Sequence, residues 1–93
     1  MAEFTTRVEL HKPKNGAYDE LHAEMEAEGF SRTWKTDDGL VYHLPTAEYD
    51  YRGEKTRQQV LDLAIKAAGR VQTDFEVFVT ESRGRTGHNL TAK

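Results

Sequence analysis

The sequence contains no cysteine, so neither a disulfide framework nor a thiolate zinc site can support a fold, and apolar packing has to suffice. That absence fits a reducing, cytoplasmic setting. Long apolar runs are missing too: no stretch approaches the roughly 20 apolar residues of a membrane helix. The first ten residues, MAEFTTRVEL, alternate polar and apolar side chains where a signal peptide would carry a basic flank and an apolar run. No phosphate-binding glycine loop, nucleophile elbow or metalloprotease helix is present, so the strong catalytic motifs are excluded and no cofactor or metal is expected.

What remains is a chain of 93 residues, 37% hydrophobic and 31% charged. A chain of this size buries only about 60 to 65% of its unfolded surface, which allows one core and one domain. The net charge of −3 argues against strong non-specific binding to nucleic acid, and nothing indicates DNA specificity, but the total hides a gradient. Residues 1–29 hold three Lys or Arg against seven Asp or Glu, residues 30–81 hold seven against nine, and residues 82–93 hold three against none. The last stretch, SRGRTGHNLTAK, reads as a flexible basic tail over 83–93, either simply solvated or a phosphate-binding arm through Arg83 and Arg85. The domain itself is expected over 1–82.

Phe4, Thr6, Val8 and Leu10 share one parity, the period of two of a half-buried strand. Pro13 and Asn15-Gly16 break the run. Tyr18, Leu21 and Met25 then recur at helical spacing opposite Asp19, Glu20, Glu24 and Glu26, predicting a helix over about 17–28 with Gly29 as its carboxyl cap. Phe30 opens an extended stretch through Trp34, and Asp37-Asp38-Gly39 between β-formers predicts a hairpin leading into Leu40 to Leu44. Pro45 ends that strand, and 46–53 is left open as a loop or a strand extension. From Glu54 the face Val60, Leu61, Ala64, Ile65 and Ala68 predicts a second helix up to Gly69, after which Phe75, Val77 and Val79 alternate as a last strand.

The order β-α-β-β-α-β predicts an α+β fold, a ferredoxin-like two-layer sandwich: a four-stranded antiparallel sheet of order 4-1-3-2 with both helices on one face. Phe4, Val8, Leu10, Leu40, Tyr42, Leu44, Phe75, Val77 and Val79 are expected to pack under the helices. The opposite face would present Arg7, Glu9, His11, Val41, His43, Phe78 and Thr80, either a ligand platform or a surface for self-association.

Histidine titrates near neutrality, which suits it to take a proton from a ribose 2′-hydroxyl or return one to a leaving 5′-oxygen. His11 and His43 are therefore candidate acid-base groups for metal-free RNA cleavage, with Arg7 to stabilise the phosphorane charge and Phe78, Arg83 and Arg85 to hold RNA. The plainer reading makes His11 and His43 half-exposed strand residues. His22 and Glu26 have the i, i+4 spacing of a shared metal, but an acidic helix face produces such pairs by chance. Turn chemistry accounts for Asp37 and Asp38. Trp34, Tyr49 and Tyr51 can stack on bases or pack under a loop.

In EFTTRVELH, LHAEMEAEGFSRTW, DDGLVYHLPTAEY and VFVTES the chain resembles the small bacterial proteins grouped with the GhoS-type antitoxins, over residues 3 to about 82. The resemblance implies a ferredoxin-like fold similar to small CRISPR-associated nucleases, and endoribonuclease action on a toxin messenger RNA. Those nucleases carry an aspartate at the end of strand one, where this chain has His11. The alternative reading is a non-catalytic module for protein interaction or dimerisation, a common use of an open sheet.

Overall fold

The computed structural model describes residues 1–93. Strand β1 (Ala2–Leu10) follows its alternation: Phe4, Thr6, Val8 and Leu10 are buried, while Arg7 and Glu9 face solvent. Helix α1 (Ala17–Ala27) begins after Gly16 at φ 81 without a side-chain cap, and Asp19 and Glu20 in its first turn face the positive end of the helix dipole. It ends at Gly29, whose φ of 96 lets the N–H groups of Gly29 and Phe30 return to the carbonyls of Glu26 and Met25. Ala17, Leu21, His22 and Met25 form its buried face.

Strands β2 (Thr33–Lys35) and β3 (Val41–His43) make the hairpin, antiparallel as the Asp-Gly turn predicts, with Gly39 at φ 88 closing it. The segment left open becomes β4 (Glu48–Gly53). Helix α2 (Arg57–Gly69) starts at a capping box in which Thr56 and Gln59 bond reciprocally. Its buried face is Val60, Ala64, Ala67 and Ala68, so it is rotated from the expected one and Ile65 is 43% exposed. Strand β5 (Phe75–Ser82) completes the elements.

The domain is α+β with two helices and antiparallel sheets. One four-stranded sheet is not formed: β4-β1-β5 make a three-stranded sheet, β2-β3 a separate pair, and a single bridge from Ser31 to Asp50 links them. The strand beside β1 is therefore β4 and not the Leu40 to Leu44 segment. The reason lies in Glu48-Tyr49-Asp50-Tyr51-Arg52, where charged and aromatic residues alternate. Tyr49 goes fully under the helices, and Asp50 opposes Thr5 on the other face. Correspondingly Leu40 is 53% exposed, and Tyr42 and Leu44 are only half-buried. Phe4, Val8, Leu21, Met25, Tyr49 and Val60 are the large members of the core. The helices are joined at the surface by Arg70, which bonds Glu24 at 2.5 Å and Glu28 at 2.9 Å.

Candidate functional site

The strand register decides which side chains share the face away from the helices. Arg7 stands between Glu48 on β4 and Phe78 on β5, Thr5 between Asp50 and Thr80, Glu3 between Arg52 and Ser82, and Glu9 opposite Glu76. Partners in register point to the same side, so these rows make one polar surface with Phe78, 72% exposed, as its large apolar member.

Half of that surface is covered. Residues 83–93, read in the sequence as a tail, leave β5 and place Arg85 over β1 and β4. Its guanidinium is 2.9 Å from Glu3, donates to the Thr5 hydroxyl at 3.1 Å and stands 2.7 Å from Asp50 Oδ1. The last contact is an ion pair by distance, but no N–H points along it, so Asp50 Oδ1 lacks an aligned donor. Arg52 bonds the other Asp50 oxygen at 3.0 Å and donates to the Lys35 carbonyl at 2.8 Å. Two arginines thus neutralise two carboxylates in one network, and Trp34 lies 5.9 Å from the Arg85 guanidinium. Further on, His43 donates its backbone N–H to Thr91 and Lys93 donates to Val41, so residues 91–93 run antiparallel along β3.

The other half is open. Arg7 is exposed there and forms no ion pair. At the end of β1, His11 Nδ1 lies 2.9 Å from Asp74 and Nε2 lies 2.7 Å from Glu76. Hydrogen bonds to Glu76 first and Asp74 second raise its pKa above 6.5, because only the imidazolium donates from both nitrogens at once. Glu9 joins it: the donor atoms of Glu9, His11 and Glu76 lie within 4.8 Å of one another. These three are the residues that can hold a metal ion, once His11 gives up its proton. Beside them is a cleft of about 480 Å³ whose lining includes Lys12, Lys14, Asn15 and Gln72.

Of the predicted acid-base set, Arg7 on β1 and His11, the residue just after that strand, lie four residues apart on one side of the sheet. His43 sits on the hairpin, exposed, on a strand that does not pair with β1. Phe78 does meet Arg7. Arg83 is exposed, whereas Arg85 is 14% exposed and turned onto the sheet. Asp74 and Glu76 as partners of His11, and Asp50 and Glu3 as partners of Arg85, were not anticipated. Each contact joins residues more than 30 positions apart and depends on the strand register. His22 pairs with no metal ligand but with Tyr49, at 2.7 Å inside the core. No protein-family model matches the chain, and no curated protein or solved structure matches it either.

Proposed function

We propose that the chain is a non-catalytic interaction module whose uncovered half-face takes a second copy of itself. The observation that carries this reading is Phe78, 72% exposed in the middle of an edge strand and ringed by charge of both signs. The outline that supports it is ferredoxin-like: β1, α1, the Ser31 bridge, β4, α2 and β5 follow the order of that fold, with the β2-β3 hairpin grown out of its second strand.

The face is self-complementary at Arg7, Phe78 and Glu76. Strands stand about 4.8 Å apart and same-face residues repeat about every 6.8 Å, so Arg7, Phe78, Glu9 and Glu76 form a small grid. A twofold axis in the sheet plane, passing midway between Arg7 and Glu76, sets each Arg7 against Glu76 of the second copy. The same operation lays Phe78 on Phe78 and Glu9 on Glu9, so two Arg7–Glu76 pairs and an aromatic contact stand against one like-charge contact. Sedimentation velocity tests this: the wild type is expected to dimerise with concentration, Phe78→Asp to stay monomeric, and Arg7→Glu to weaken association until Glu76→Arg restores it. A wild type that is monomeric up to about millimolar, beyond the weakest useful affinities, overturns the reading.

A second reading, RNA binding and metal-independent cleavage of the GhoS type, draws on the lysine-lined cleft next to His11, whose pKa is raised by its hydrogen bonds to Glu76 and Asp74, with unpaired Arg7 on the same sheet face. There the 2′-hydroxyl gives its proton to the Glu9 carboxylate and attacks phosphorus, and the His11 imidazolium protonates the 5′-oxygen as its bond to phosphorus breaks. Incubation of labelled RNAs in excess chelator separates the readings. Products ending in a 2′,3′-cyclic phosphate, lost in His11→Ala, favour cleavage, and intact RNA favours the interaction module.

A further inference from the structure

Residues 83–93 make their specific contacts at two places, and each is a recognised way of holding a peptide. At one, Arg85 enters a socket of Glu3, Thr5 and Asp50 beside Trp34, and Asp50 is almost fully buried there. At the other, residues 91–93 add themselves to the outer edge of β3 through main-chain bonds of 2.8 Å and 3.0 Å. Between the two ends the segment spans clefts of about 330 Å³ instead of a packed core. One is lined by Trp34, Leu40 and Tyr42 and the other by Trp34, Leu44 and Pro45. The arginine anchor, the Trp34 clefts and the strand edge follow one another along residues 85–93.

We infer that this groove is a peptide-recognition site for an extended segment carrying an arginine six residues before a short β-pairing stretch, and that residues 83–93 occupy it in cis. The socket determines the chemistry of the occupant. The Thr5 hydroxyl and the Glu3 carboxylate accept from the two terminal guanidinium nitrogens, with Asp50 beside them as a counter-charge, and a lysine ammonium has one nitrogen where this fork needs two. The strand edge reads backbone and so tolerates many sequences at 91–93. A competing segment from another protein has to displace a tethered one, whose effective concentration is on the order of millimolar. The Arg85 socket lies on the covered half of the sheet face and Phe78 on the open half, and the inference stands without self-association.

The probe is a synthetic peptide of residues 82–93, titrated into the full chain and read by the fluorescence of Trp34, the single tryptophan. Wild-type protein is expected to bind it only near millimolar, because the cis segment competes. Arg85→Ala opens the anchor and is expected to bind the peptide about tenfold tighter or better, while the same peptide with lysine in place of arginine loses that gain. Lys93→Pro, which removes one donor at an exposed edge and leaves the core alone, opens the other end and is expected to give a smaller gain. Equal affinity of wild type and both variants, or binding by none of them, overturns the inference. Sedimentation of the same samples reports self-association separately.

Discussion

The Tyr49 hydroxyl and His22 Nδ1 lie 2.7 Å apart in the core, so a strand and a helix 27 residues apart in sequence are joined by a buried hydrogen bond. Burial first, and the Arg32 charge second, lower the His22 pKa below 6.5, while burial pushes the Tyr49 phenol up. Both effects keep the pair neutral, and the tautomer of His22 sets which of the two donates. A neutral pair satisfies two polar groups that would otherwise cost the core about 1 to 3 kcal/mol each.

His22 and His11 are expected to give opposite pH dependences. For His22 the folded pKa is depressed, so the unfolded chain binds the extra proton. Its contribution is fully present above about pH 6.5 and is lost as pH falls towards the folded value. For His11 the folded pKa is raised, so its contribution is present below 6.5 and is lost as pH rises through the folded value. Urea unfolding at a series of pH values is expected to show a flatter acid limb in His22→Gln and a flatter alkaline limb in His11→Gln. Parallel curves for all three proteins would falsify both assignments.

The rotated face of α2 makes a sharper test of packing. Ala64 is fully buried against the sheet and Ile65, its neighbour, is 43% exposed. Ala64→Asp puts an uncompensated carboxylate in the core, a cost of several kcal/mol that approaches the whole stability of a domain this small. Ile65→Asp is expected to cost about 1 kcal/mol or less and to leave the circular dichroism spectrum unchanged. If Ile65→Asp unfolds the chain and Ala64→Asp does not, the helix is turned the other way.

Thr6 offers a stabilising change. Its hydroxyl lies on the helix side of β1, fully buried, with no hydrogen-bond partner, between Phe4 and Val8 on the same face. Thr6→Val replaces that hydroxyl by a methyl of similar shape and raises β-propensity slightly, for a gain of about 1 kcal/mol. The midpoint of thermal unfolding should rise by several degrees, and a fall would mean that the hydroxyl has a partner after all.

Much of this architecture was legible because it is local. Two-residue alternation marks β1 and β5, the Asp-Gly turn marks the hairpin, and helical spacing ending at a glycine marks α1. Strand β4 was harder because its inward positions are tyrosines, whose phenols belong equally to a loop, and because Pro45 directs attention to the strand before it. The phase of α2 failed on alanine: Ala64, Ala67 and Ala68 carry too little apolar weight against Leu61 and Ile65 to show which side faces the sheet. The surroundings of His11 and Arg85 could not be read at all. Their partners are supplied by cross-strand register and by the path of 83–93 over the face, and neither leaves a trace in spacing.

The Asp50 network gives the last prediction, which concerns the order of three variants. Asp50 is held by two arginines: Arg52 makes an aligned hydrogen bond, and Arg85 an ion pair without one. Removing the carboxylate leaves both guanidinium groups facing each other over β1, with Glu3 as their one remaining counter-charge. Charged hydrogen bonds in partly buried places are worth about 1.5 to 3 kcal/mol, so Asp50→Ala is expected to cost about 2 to 3 kcal/mol. Arg85→Ala leaves Asp50 with Arg52 and is expected to cost about 1 kcal/mol. The double variant should then cost less than the two singles together, because one of the stranded charges has gone. Urea midpoints for the three proteins measure the coupling, and strict additivity would place Arg85 outside the network.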